Sequence, residues 1–258
     1  MTAIKDPRLS IIRERIRNVK HVIPVASYKG GVGKTIVTAL IALKLRDRGF
    51  RTGILDLDLT NPSIHTVLGV DLDTIKPEEE RGVVPPEIQG VKLMTLAYYT
   101  RERPTPLRGM DLVNAFRELM SITLWGYIDF LLIDTPPGFS DVILELSNTL
   151  GGISNPILVS ILSKLSIKPT INLYKYMKEI RIEPLGVVLN MISEEEDLKK
   201  TFFETASIED IRILGLMRRD PEIEKAIGSI NDLKRTKAYE EIGEIVREVL
   251  KIIESRRS

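Results

Sequence analysis

Two lysines, three glycines and the Thr35 hydroxyl stand together in Ser27-Tyr28-Lys29-Gly30-Gly31-Val32-Gly33-Lys34-Thr35. Glycines allow a tight turn whose N–H groups face inward with no side chain in the way. Amides, the positive end of a following helix and a lysine make a cradle for phosphate. In such a loop Lys34 reaches the β- and γ-phosphates of a nucleotide and the Thr35 hydroxyl ligates magnesium. Gly30, Gly31, Val32, Gly33 and Ile36 supply the remaining loop contacts. Asp56, Asp58 and Asp134 are the acids that could share the same metal.

These groups work only if strands and helices bring them together. His21 to Ala26 is a short apolar run, read as a buried strand, and Ile36 to Leu45 has helical spacing and good helix formers. Strand, glycine loop, helix is the context a phosphate site requires. Thr52 to Leu57 is a second strand, with Asp56 and Asp58 at its carboxyl end, where open parallel sheets bind ligands. Buried acids need a cation there, and hydrated magnesium supplies one. Phe130 to Ile133 is an apolar run ending in Asp134, placed to hold a water on the metal. The double proline of Asp134-Thr135-Pro136-Pro137-Gly138 stiffens the backbone, so that the Gly138 N–H can point at the γ-phosphate. Asp141 reads as the cap of a helix over Val142 to Leu150.

The rest of the chain keeps the α/β rhythm. Strands are expected at Val91 to Leu96, Pro156 to Ile161, Pro184 to Asn190 and Ile211 to Leu216, with helices at Asp111 to Ile122 and around Ile171 to Met177. An N-terminal amphipathic helix over Asp6 to Lys20 turns Ile11, Ile12, Ile16 and Val19 inward. Pro77 to Pro86 reads as a charged loop, His65 as a surface or packing histidine, and Tyr98 to Arg103 as a weak candidate for stacking on single-stranded nucleic acid. A C-terminal helix over Tyr239 to Ile253 carries one apolar stripe and glutamates on its other face, which favours packing on the domain over binding anionic lipid.

Composition narrows the classes. The 258 residues, 43% hydrophobic, suffice for one large α/β domain spanning the chain. A net charge of +1 sets up no global attraction to DNA or an anionic membrane. With no cysteine, disulfides and cysteine-held zinc or iron–sulfur sites are excluded. No apolar run reaches membrane-spanning length and no leader is evident, so a cytoplasmic protein is expected.

The usual phosphate loop has glycine where Tyr28 stands, and here Lys29 precedes the glycine pair. That loop resembles the deviant phosphate loop of the MinD/ParA/Mrp group of ATPases. Further matches are Asp6-Pro7-Arg8, Asn18-Val19-Lys20-His21, Asp56-Leu57-Asp58 with Pro62-Ser63-Ile64, Arg108-Gly109, Trp125-Gly126, Asp134 to Gly138 with Asp141, and Gly186 to Met191. Together they resemble the Mrp-type ATPases in their archaeal form. The resemblance implies a doubly wound, mostly parallel sheet of seven or eight strands with helices on both faces. It implies a homodimer with ATP and Mg²⁺ near the interface, in which Lys29 reaches the partner's nucleotide. It assigns Asp58 to the attacking water or the metal's water shell, Asp56 to the outer shell, and Asn190-Met191 to the adenine edge. Arg218 stands where a proline is usual in the second base-contacting loop.

One departure stands out. Cluster-carrying members have a CxxC shortly after the Asn-Met, where this chain has Ile192-Ser193-Glu194-Glu195-Glu196-Asp197. Carboxylates do not replace thiolates on iron–sulfur clusters, and Ser193-x-x-Glu196 reads instead as a helix-capping box. A second departure is the Ser160 to Lys164 loop. The expected function is therefore a slow, dimerisation-dependent ATPase switch with an unknown client. The alternatives are a positional ATPase acting on membrane or DNA, and a nucleotide-dependent scaffold with negligible turnover. GTP is disfavoured because no Asn/Thr-Lys-x-Asp motif follows a late strand.

Overall fold

A computed structural model describes residues 6–58, 62–100, 110–138, 141–150, 154–193 and 196–256. In chain order the elements are α1 (Arg8–Ile16), β1 (Val19–Ala26), α2 (Lys34–Asp47), β2 (Thr52–Asp56), α3 (Ile64–Leu68), β3 (Glu78–Glu79), β4 (Val83–Val84), β5 (Glu87–Ile88), β6 (Val91–Thr95), α4 (Ala97–Thr100), α5 (Met110–Ile122) and β7 (Ile128–Asp134). They continue as α6 (Asp141–Leu150), β8 (Ile157–Ile161), α7 (Lys164–Glu179), β9 (Gly186–Ile192), α8 (Glu196–Ile208), β10 (Ile213–Arg218), α9 (Glu222–Ala226), α10 (Ile230–Leu233) and α11 (Lys237–Ser255).

Eight strands form one sheet in the order β10-β9-β8-β1-β7-β2-β6-β5. All pairs are parallel except β5 with β6 at the edge. Parallel strands are covered on both faces, so they read as continuous apolar runs, and all seven residues of β7 are buried. β1 lies at the centre between β8 and β7, so the loop leaving it opens where the winding reverses, the place such sheets bind ligands.

Helices cover both faces. α2 places Val37, Leu40, Ile41 and Leu45, among others, in the core that also takes the apolar stripe of α11, namely Ile242, Ile245, Val246, Val249, Ile252 and Ile253. The opposite face carries α1, α5 and α6, with Ile12, Ile16, Phe116 and Leu146 in one cluster. Asp6 joins two of these helices by accepting from Arg8 and from Arg117, which also grips Glu145 of α6.

Some details differ from expectation. Ile11 points outward, 40% exposed, and Val19 belongs to β1 rather than to the helix. The stretch read as a loop holds the β3–β4 hairpin, and β5 adds the sheet's antiparallel edge. These strands are two residues long, too short for any alternation to declare them. Of the two readings of His65, surface or packing, burial selects packing. α6 begins at Asp141 itself, whose side chain is outside the description, as are Arg101 to Gly109 and Glu194-Glu195.

Candidate functional site

The glycine loop leaves β1 at Ser27, whose Oγ donates to the Lys29 carbonyl at 2.9 Å and starts the turn. Gly31 and Gly33 adopt φ of +77° and +79°, the left-handed region that side chains disfavour. Gly33 caps α2, and a Cβ there would also lie 2.3 Å from Asn190 Nδ2. Val32 is buried, Gly30 and Gly31 are exposed at the mouth, and Thr35 and Ile36 are half-buried on the first turn of α2.

Lys34 is buried, and its Nζ lies 2.6 Å from Asp134 Oδ1. Thr35 Oγ1 donates to Asp134 Oδ2 at 2.8 Å. Thr38 Oγ1 lies 3.1 Å from Asp134 Oδ1 and 3.0 Å from the Lys34 carbonyl. Thr38 was missed in the sequence, although it sits one helical turn after Lys34 and is polar inside an apolar run. Lys29 is half-buried at the mouth, and among the described residues no acid pairs with it.

The acids meet as strand register dictates. Asp56 of β2 is opposite Asp134 on one side and Thr95 on the other, so three polar side chains line the carboxyl ends of β7, β2 and β6. Asp56 accepts from the Asp58 N–H at 3.1 Å, the Ile64 N–H at 3.4 Å and the Thr95 hydroxyl at 3.4 Å. Its carboxylate thus anchors both ends of the loop between β2 and α3. Asp58 is half-buried next to it. Thr95 was also missed, because only register reveals it.

Burial pushes Asp56 above the usual carboxylate range, the neighbouring Asp134 pushes the same way, and Lys34 pulls it back. Burial also raises Asp134, against Lys34, Thr35 and Thr38. Two buried acids sharing one lysine are short of positive charge, which suits a divalent cation. Among the described residues no three His, Cys, Asp or Glu cluster as a metal cage. Magnesium fits such a site, because it takes one or two carboxylates and completes its shell with phosphates and water.

Gly138, at φ +89°, donates its N–H to the Ser27 carbonyl at 2.9 Å. That bond ties the loop after β7 to the glycine loop. Thr135 Oγ1 adds a bond to the Val25 carbonyl at 2.9 Å. Asn190 is buried, and its Nδ2 donates to the Val32 carbonyl at 2.9 Å, while Met191 is exposed with φ +53°. Arg218 ends β10, largely exposed, with its N–H bonded to Glu241 at 2.7 Å. It borders a cleft of about 580 Å³ with Arg219, Asp220, Lys237 and Glu241, and no glycine-loop residue lines that cleft.

Known proteins are similar to this chain in sequence and fold. A ParA family model described as "NUBPL iron-transfer P-loop NTPase" matches residues 18–253. An iron–sulfur cluster carrier protein of Aquifex aeolicus is 30% identical over 92% of this chain and 70% of its own length. One of Methanocaldococcus jannaschii is 34% identical over 70% of this chain and 63% of its own length. A nucleotide-binding protein from Archaeoglobus fulgidus, solved with ADP, superposes with a TM-score of 0.71 at 25% identity, over 90% of this chain and 96% of its own. The cell division ATPase MinD of Pyrococcus furiosus, at 21% identity and TM-score 0.63 over 90% of this chain and 99% of its own, shares the fold. With the phosphate loop, the paired acids and a family match over nearly its whole length, this chain belongs to the NUBPL iron-transfer P-loop NTPases of the ParA group.

Proposed function

We propose that the chain is a dimerisation-dependent ATP switch of the Mrp type that carries no cluster on cysteines of its own. The observation that carries this is the different fate of the two loop lysines. Lys34 is buried on Asp134, whereas Lys29 waits at the mouth with no acid partner among the described residues. A half-buried lysine at the mouth is placed to serve a second active site. Tyr28, Leu165 and Met191, exposed by the carboxyl ends of the neighbouring strands β1, β8 and β9, give that face apolar area for a second copy.

In this reading ATP draws Lys34 from Asp134 to the β- and γ-phosphates, and Thr35 from Asp134 to the metal. Magnesium, held by Thr35 and by waters on Asp56, Asp58 and Asp134, would neutralise charge on the phosphates. Asp58 orients the attacking water. Gly138 gives up the Ser27 carbonyl when it turns to the γ-phosphate, so the loop after β7 reports whether that phosphate is present. Asn190 keeps Nδ2 on the glycine loop and offers Oδ1 to the adenine amino group, beside Met191 and Arg218. Lys29 from the second copy completes charge neutralisation, so turnover is slow in the monomer.

Relatives bear the name of iron–sulfur carriers, but this chain has no cysteine. Cluster work would require thiolates from a partner or client. The positional alternative on membranes is weakened by α11, whose apolar stripe is in the core, and among the described residues no helix is long and apolar enough to cross a membrane.

The test is ATP turnover and sedimentation with ATP and magnesium. Wild type should hydrolyse slowly and shift towards dimer. Lys34→Ala should lose nucleotide binding, and Lys29→Ala should bind ATP yet lose turnover. Wild-type turnover in either variant would defeat the reading.

A further inference from the structure

Asp134 is fully buried, and among the described residues three side chains donate to it: Lys34 and Thr38 to Oδ1, and Thr35 to Oδ2. Lys34 and Thr35 both have other work once nucleotide and metal arrive. Thr38 does not. It lies four residues along α2 from Lys34, fully buried, facing the strand that carries Asp134 rather than the loop mouth. Its one hydroxyl proton has two acceptors within reach, the Lys34 carbonyl at 3.0 Å and Asp134 Oδ1 at 3.1 Å. The carbonyl lies in the α2 ladder, where it already has the helix's own amide to accept from. A carboxylate oxygen left without a donor in this dry setting has no substitute.

We infer that Thr38 is a positioning residue: it holds Oδ1 of Asp134 after Lys34 has left, so that Oδ2 remains turned to the metal side of the site. The inference rests on the magnesium-nucleotide reading of the site and adds to it a residue outside the loop motif. A threonine inside a helix ordinarily back-bonds to the carbonyl one turn earlier and does nothing else. The two roles separate experimentally, because a packing role does not change how nucleotide binding depends on magnesium.

The experiment is calorimetric binding of ADP to the full chain, in EDTA and at stepped magnesium concentrations, with the melting temperature of the nucleotide-free protein alongside. Thr38→Val keeps the shape and removes the hydroxyl. It should leave ADP affinity in EDTA near wild type, yet raise the magnesium concentration for half-effect by roughly tenfold or more, as lost outer-shell partners do. Thr38→Ser restores the hydroxyl and should return to within about twofold of wild type on the same scale. If Thr38→Val does not fold, Thr38→Ala takes its place with the same outcomes. Unchanged magnesium dependence in the valine variant, a serine variant as defective as valine, or an equal loss in EDTA would each overturn the inference. A wild type whose ADP binding ignores magnesium would instead overturn the underlying reading of the site.

Discussion

Asn190 holds the glycine loop from two strands away: its Nδ2 donates to the Val32 carbonyl at 2.9 Å across 158 residues of chain. The same amide closes the space behind Gly33, where a Cβ would meet it at 2.3 Å. The loop's shape therefore depends on the end of β9 as well as on its glycines. Asn190→Ala should cost about 1 kcal/mol of stability for the lost buried bond. It should also weaken binding of both ATP and inorganic tripolyphosphate, with ATP weakened further if Oδ1 meets the adenine. Tripolyphosphate affinity equal to wild type would show that Asn190 does not shape the loop.

That relationship also marks what could be read without coordinates. The phosphate loop, the central strands and the acids after β2 and β7 were legible because each is declared locally, by glycine spacing or by an apolar run ending in a carboxylate. A mostly parallel sheet of seven or eight strands followed from the resemblance those motifs carry, and the structure has eight. Thr95 and the loop-holding bond of Asn190 were not legible, since each depends on which strands are neighbours and in what register. Thr38 was locally visible, but its meaning required Asp134 to be across from it. The bond from the Gly138 N–H to the Ser27 carbonyl was not legible either, because its partner belongs to another loop. The strands β3, β4 and β5 escaped because two residues carry no period.

Asp56 and Asp134 sit opposite each other in register, both buried, with Lys34 as their shared cation. Without metal this pairing opposes folding, as expected of a site kept ready for a divalent ion. Asp56→Asn removes the carboxyl that burial raises, keeps an oxygen for the Asp58 N–H, and turns its amide to the Thr95 hydroxyl at the cost of the long bond from the Ile64 N–H. The nucleotide-free variant should melt about 2–4 °C higher, what roughly 1 kcal/mol is worth in a domain of this size. Its ADP binding should lose about tenfold or more of the magnesium response. A lower melting temperature with an intact magnesium response would refute the account of this pair.

Asp129 lies on the same strand as Asp134, at the opposite end, and its environment acts in the opposite direction. Arg51 donates to it from its backbone N–H at 2.9 Å and from its guanidinium at 3.1 and 3.2 Å, and Lys20 Nζ lies 2.7 Å away. The pairing with Arg51, ahead of that with Lys20, holds the Asp129 carboxyl well below the usual carboxylate range. The three residues tie together the amino ends of β1, β7 and β2. A carboxyl depressed in the folded state binds fewer protons there than in the unfolded chain. Its contribution is therefore complete above the unfolded value near 4 and is lost as pH falls below it. Arg51 and Lys20 are both 56% exposed, so solvent screening limits the contribution to about 1 kcal/mol. At pH 7 Asp129→Asn should melt about 2–4 °C below wild type. The gap should close as pH is lowered from about 4, because wild type then loses the charge the variant already lacks. Thermal melts of both proteins across that range decide it: curves that stay parallel down to the acid limit would show that the charge of Asp129 does not stabilise the fold.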